Sequence, residues 1–203
     1  MHEIYNTEGI ILSGGDIGEA NKFINIFSEQ FGLISATAQS VRQIKSKLRF
    51  GLQKFTVSNF SLVRGKDVWR ITNIEYKQNL YYEFCKDKNK LKTMISILVL
   101  IKKLLAGEKY NKRLYKIIRR SISFLKKENL SEKEISDFEN IVLIRVLHNL
   151  GYFNEDKKIQ GENIYKKIIE TSSWSKKILE EVRGFNGEII EDINESLYNT
   201  HLF

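Results

Sequence analysis

Phe55-Thr56-Val57-Ser58-Asn59-Phe60-Ser61-Leu62-Val63, Arg64-Gly65-Lys66-Asp67 and Val68-Trp69-Arg70-Ile71-Thr72-Asn73-Ile74 follow one another, and their reading decides the fold. The two outer runs read as strands, and the glycine-containing connection between them suits a hairpin. Toward the N-terminus, Ile4 to Leu12 reads as a strand closed by the turn signal Ser13-Gly14-Gly15-Asp16. Ala20 to Ser28 alternates, with Ile24 and Ile26 on one face and Phe23 and Phe27 on the other. Phe31-Gly32-Leu33 then turns the chain, and Ile34, Ala36 and Ala38 alternate with Ser35, Thr37 and Gln39. Ile44 to Gln53 fits neither period and reads as the connection between the third and fourth strands. Five short strands with glycine turns in the first 80 residues predict a small closed barrel.

From Lys90 the period becomes helical. Leu91, Met94, Ile95, Leu98, Ile101 and Leu105 recur at spacings of three and four, with Gly107 expected as the C-terminal cap. Leu114, Ile117, Ile118, Ile122 and Leu125 form a second stripe. Ser131-Glu132-Lys133-Glu134 is a capping box opening a third helix that ends at Gly151. Shorter helices are expected over residues 163–171, 175–182 and 189–198. The expected architecture is α+β: a five-stranded barrel over residues 1–80, then an α-helical domain over 81–203.

Charge is unevenly spread. The chain has 203 residues and a net charge of +8, yet residues 81–135 alone carry 15 basic groups against 6 acidic ones. Gln39 to Lys77 holds nine basic groups against only Asp67 and Glu75. Such a field attracts a polyanion, most commonly nucleic acid; a lysine-rich surface that only confers solubility is the bland alternative. The longest apolar run, Met94 to Ile101, falls short of the roughly 20 residues a membrane helix needs. The first dozen residues lack a signal-peptide pattern, so no leader or membrane contact is expected. A single cysteine, Cys85, excludes an intramolecular disulfide and a Cys-rich zinc site, and points to a reducing cytoplasm.

No constellation for catalysis emerges. His2, His148 and His201 lie far apart, and Gly14-Gly15-x-x-Gly18 lacks the Gly-Lys-Ser/Thr of a phosphate-binding loop. Cys85 has Lys86 and Lys88 nearby but no histidine base. No catalytic residue, metal or cofactor is therefore assigned. Cations and aromatics remain. Arg42, Lys45, Lys47 and Arg49 stud the long connection, and Arg64, Lys66 and Arg70 stud the hairpin, with Phe50, Phe55, Phe60 and Trp69 interleaved. On barrels of this kind phosphates meet Lys and Arg while bases stack on aromatic faces. Phe55 and Phe60 have the competing role of filling the barrel; Trp69 neighbours Arg70 and is the aromatic assigned to the binding set.

Several ordered segments add a resemblance. Glu8-Gly9-Ile10-Ile11-Leu12, Asp16-Ile17-Gly18-Glu19-Ala20, Ile26-Phe27-Ser28 and Gly32-Leu33-Ile34-Ser35-Ala36 come first. Arg42, Ser46-Lys47-Leu48-Arg49, Leu52-Gln53 with Phe55, Leu62-Val63-Arg64-Gly65-Lys66 and Glu75 follow. A looser match comprises Arg145-Val146-Leu147-His148-Asn149-Leu150-Gly151-Tyr152 and Ser175-Lys176-Lys177-Ile178-Leu179. Together they resemble the RecO family of bacterial recombination mediators. The resemblance implies an N-terminal OB-fold barrel, a helical second domain, and binding of single- and double-stranded DNA with annealing of complementary strands. It also implies engagement of the single-stranded-DNA-binding protein, and loading of RecA with the help of RecR. Arg42 is carried over as a DNA contact, with Lys47, Arg49, Arg64 and Lys66 as companions.

Two departures stand out. Many relatives carry a four-cysteine zinc module after the Leu-Gly-Tyr segment, whereas Phe153 to Glu162 here contains no cysteine. The small basic turn before Arg42 is replaced by Gln39-Ser40-Val41. The expected function is thus non-enzymatic DNA-binding mediation in repair, in the cytoplasm at the nucleoid. A protein-binding adaptor and an RNA-binding barrel are the rival readings. For the acidic, apolar-tipped tail of the single-stranded-DNA-binding protein, the expected dock is Leu98, Ile101 and Leu105 flanked by Lys102, Lys103, Arg119 and Arg120.

Overall fold

The computed structural model describes residues 3–41, 50–171 and 173–201. The chain divides into two compact units, the first comprising Met1–Asp87 with Ile101–Tyr115 and the second Lys88–Leu100 with Lys116–Phe203. The first unit is built on five strands: β1 (Ile4–Ile17), β2 (Asn21–Ser28), β3 (Gly32–Ala38), β4 (Thr56–Arg64) and β5 (Trp69–Asn79). They close into a barrel in the order β1-β2-β3-β5-β4. All neighbours run antiparallel except β3 and β5, which are parallel through Ala36 opposite Trp69 and Thr37 opposite Arg70. This is the α+β arrangement expected, with the barrel first.

Side-chain alternation fills the barrel. Ile24, Ile26, Ile34, Ala36, Phe60, Leu62, Trp69 and Ile71 point inward and form one buried cluster with Ile11, Val41 and Leu52. Strands of period two deliver such residues to one face and polar ones to the other. The hairpin read between the last two strands is present, with Arg64 opposite Trp69.

Two local expectations need correction. Ser13-Gly14-Gly15-Asp16 is not a turn: β1 continues to Ile17, and its register with β2 shifts between Ile11 and Ser13. The extra residue of that bulge bends the strand, which lets β1 pair with β4 through Ile4–Ile10 and with β2 through Gly9–Ile17. Gly14 serves close approach instead, since a Cβ there would lie 2.9 Å from the Phe23 carbonyl oxygen. The reversal falls at Gly18, whose φ of 56° suits glycine. Likewise Gly107 is not a helix cap. The helix ends at Leu104, and Gly107 instead accepts a hydrogen bond from the Leu33 N–H through its carbonyl.

The helices are α1 (Leu80–Phe84), α2 (Lys88–Leu104), α3 (Lys112–Lys127), α4 (Glu132–Asn149), α5 (Ile164–Glu170), α6 (Lys176–Arg183) and α7 (Asn186–Tyr198). In the second unit α4 is central, packed by α5, α6 and α7. Its buried residues include Ile135, Phe138, Ile141, Val142, Ile144 and Leu147, more than one narrow face. The capping box at its start forms as read, with the Ser131 hydroxyl accepting from the Glu134 N–H and the Glu134 carboxylate accepting from the Ser131 N–H. At its end the Gly151 N–H bonds the His148 carbonyl and the Tyr152 N–H bonds the Leu147 carbonyl, a Schellman motif. Asp137, fully buried on α4, accepts from Arg183 and Asn186 and so ties α6 and α7 to it.

Candidate nucleic-acid interface

The β4–β5 hairpin positions three of the expected contacts. Arg64 ends β4, Lys66 occupies the turn and Arg70 is the second residue of β5; all three are exposed. Gly65 is required there, since a Cβ would lie 2.4 Å from the Val68 carbonyl oxygen. Among the described residues no ion pair holds Lys66 or Arg70, so both cations meet solvent. Arg64 is engaged: its Nη1 pairs with Glu108 Oε2 at 2.9 Å, and its guanidinium lies 4.9 Å from the centre of the Trp69 ring. An exposed pair of this kind contributes little to stability and can exchange its carboxylate for a phosphate.

Trp69 is corrected as a stacking residue. It is only 2% exposed, and its indole N–H donates to Glu108 Oε1 at 2.9 Å. Tyr5 and Phe31 pack against its ring with centroids at 5.4 and 4.9 Å. Alternation places an aromatic inside as readily as outside, and here it fills the barrel, as Phe60 does; Phe55, just before β4, is buried too. Arg42, Lys45, Lys47 and Arg49 lie outside the described residues.

The set expected to dock the acidic tail is divided. Ile101, Lys102, Lys103 and Leu105 belong to the first unit, and Leu98, Arg119 and Arg120 to the second. Lys102, Lys103 and Arg120 are exposed, whereas Leu105 and Arg119 are half-buried. Leu98 and Ile101 are buried, Leu98 among Met94, Ile97, Ile118, Ile122 and Leu125. The spacing that marked them is that of a helix face turned to its own core, so neither can receive an apolar ligand tip.

Sequence reasoning undervalued α3. Its 16 residues contain seven Lys or Arg and no acid. Lys116, Arg120 and Lys127, spaced four and seven apart, share an exposed face, while Ile118, Ile122 and Leu125 are buried. The charge excess of residues 81–135 was the available signal.

Residues 1–80 match the family model described as recombination protein O N terminal. Over its first 80 residues the chain is similar to the N-terminal domain of RecO proteins. Curated relatives agree. The chain is 29% identical over 132 residues to a DNA repair protein RecO of Alkaliphilus metalliredigens, covering 65% of this chain and 53% of that one. It is 29% identical over 146 residues to the RecO of Acetivibrio thermocellus, covering 72% and 57%. Against the RecO of Synechocystis sp. the identity is 40% over 75 residues, covering 37% and 28%. The aligned parts thus span about half the length of the first two relatives. The RecO resemblance read from the motifs stands, in a chain whose single cysteine cannot supply a four-cysteine zinc module.

Proposed function

We propose that this chain is a DNA-binding recombination mediator in DNA repair, with the barrel as its principal DNA surface. The observation that carries the reading is a RecO-type barrel whose last hairpin exposes Lys66 and Arg70 without an acidic partner among the described residues. Such cations neutralise phosphates and release counterions. Bringing two strands to one neutralised surface lowers their repulsion and lets complementary bases pair, so annealing needs no nucleotide hydrolysis and no catalytic residue. The basic face of α3 offers a second place for backbone phosphates. RecR and, through it, RecA are the partners that the family assignment brings. For the acidic tail of the single-stranded-DNA-binding protein, exposed Lys102 and Lys103 remain candidates through charge alone.

No helix among the described residues is long and apolar enough to cross a membrane, and a cytoplasmic, nucleoid-associated location goes with DNA as the ligand. The reading requires no metal or other cofactor.

Labelled single-stranded DNA, the matched duplex and RNA of the same sequence, titrated at one salt concentration, test this function. Binding to both DNA forms is expected. Binding to RNA alone would support the rival barrel reading, and binding to none of the three would overturn nucleic-acid function in favour of a protein adaptor.

A further inference from the structure

The barrel unit carries large aromatic rings that its core does not use. Phe50 is 71% exposed and Tyr76 52% exposed, and Tyr81 and Tyr82 are also exposed. Scattered exposed rings are ordinary, but a group of them on one surface marks an interaction site.

Local geometry places the turn of Phe50 beside the strand that carries Tyr76. Phe50 opens a single 3₁₀ turn, Phe50–Leu52, and a Cβ at Gly51 would lie 2.5 Å from Ile74 Cγ2, so this turn lies directly on β5. Ser58 on β4 donates to the Gly51 carbonyl at 3.5 Å, and Ser58 is the cross-strand partner of Tyr76. Cross-strand partners project to the same face. Tyr76 therefore emerges beside the turn that presents Phe50. The Asn79 side chain donates to the Lys54 carbonyl at 3.2 Å and caps α1, which places exposed Lys54 next to the start of that helix. Tyr81 and Tyr82 follow there, with ring centroids 5.7 Å apart and edge to face.

Charge decides what such rings would meet. Phe50 and Tyr76 both lie within Gln39 to Lys77, a stretch of sequence with nine basic residues and two acidic ones. Of these acids, Glu75 accepts from Asn59 at 2.8 Å. Exposed rings in so basic a stretch of sequence suit a ligand that is an anion along its backbone and aromatic along its side. Single-stranded nucleic acid has that chemistry; a duplex keeps its base faces stacked inside.

We propose that Phe50 and Tyr76 form a base-stacking platform on the barrel that takes unpaired nucleobases of single-stranded DNA. It rests on the DNA-binding reading above and adds a contact that distinguishes single strands from duplex. The hairpin cations hold phosphates of either form, whereas the two rings hold only bases that are free to unstack.

The test compares the wild-type chain with Phe50→Ala, Tyr76→Ala, the double variant and Tyr76→Phe. Each is titrated with an oligothymidylate, an abasic deoxyribose-phosphate oligomer of equal length, and a duplex. Loss of one stacking ring is expected to weaken oligothymidylate binding roughly tenfold or more. Abasic and duplex binding should stay unchanged, and Tyr76→Phe, which keeps the ring, should bind as wild type. Equal wild-type affinity for oligothymidylate and the abasic oligomer would overturn the platform, as would a double variant that keeps oligothymidylate affinity. Parallel loss on all three ligands, with an altered melting curve, would assign the rings to the fold and also overturn it. Failure of the wild-type chain to bind any DNA would instead remove the underlying function, and the platform with it.

Discussion

Arg145 shows how one residue holds a region without an ionic partner among the described residues. It is 6% exposed on α4, and Nε donates to the Ile168 carbonyl at 2.9 Å and Nη2 to the Thr171 carbonyl at 2.6 Å. Its guanidinium lies 4.3 Å from the centre of the Trp174 ring. Burial pulls its pKa down to about 10, still far above neutral, so the group stays charged. The carbonyls at the end of α5 and the face of Trp174 supply the negative potential that offsets desolvation. Arg145→Ala should therefore leave two carbonyls unpaired and lower unfolding stability by about 3 kcal/mol, read from urea midpoints. Arg145→Lys should recover only part, because an ammonium cannot reproduce the two-pronged geometry. Arg145 continues the helical spacing of Ile135, Phe138 and Val142, so its place on the buried face was legible in the sequence. The two carbonyls and the Trp174 ring that receive its guanidinium were not, because they lie 23 to 29 residues away in the chain.

At the scale of elements, the first turn of α4 carries a pH signature. The Glu134 carboxyl is held below its ordinary value, first by the hydrogen bond from the Ser131 N–H and then by the Ser131 hydroxyl. A carboxylate whose folded pKa is depressed adds stability above its unfolded pKa and loses it as pH falls through the folded value. Unfolding measured below neutrality should show that contribution disappear as pH drops below the ordinary glutamate range, and Glu134→Gln should lack this component. Ser131→Ala removes the other half of the box and should cost about 1 kcal/mol at neutral pH. The box was legible because it is local: four residues contain all of its partners. The bulge in β1 was not. Gly14 and Gly15 look like turn residues in sequence, and only the pairing of β1 with both β2 and β4 gives them their place in a strand. Trp69 failed for a similar reason. Alternation fixes that it shares a face with Ile71, but the inward sense of that face depends on closure through β3.

The whole molecule joins a RecO-type barrel to a helical unit. The barrel and most helix positions follow from period and turn chemistry, whereas the parallel pairing of β3 with β5 that closes it does not. The division into units does not, because Ile101–Tyr115 returns to the barrel's unit from the middle of the helical sequence. Glu108 explains that return within the unit: its carboxylate accepts from both Arg64 and Trp69, and Gly107 accepts from Leu33. Sequence charge located the basic surfaces but could not tell which cations are engaged, such as Arg64, Lys77 and Lys112, from those that face water. The central claim is that DNA is held electrostatically by the barrel, and the salt dependence of single-strand affinity tests it most directly. Neutralising four to six phosphates predicts a slope of log K against log salt of roughly −3 to −4. In a folded Lys66→Glu/Arg70→Glu variant, affinity should fall and the slope should become shallower by about 1.4. Wild-type affinity and an unchanged slope in that variant would contradict the account and move the DNA to another surface.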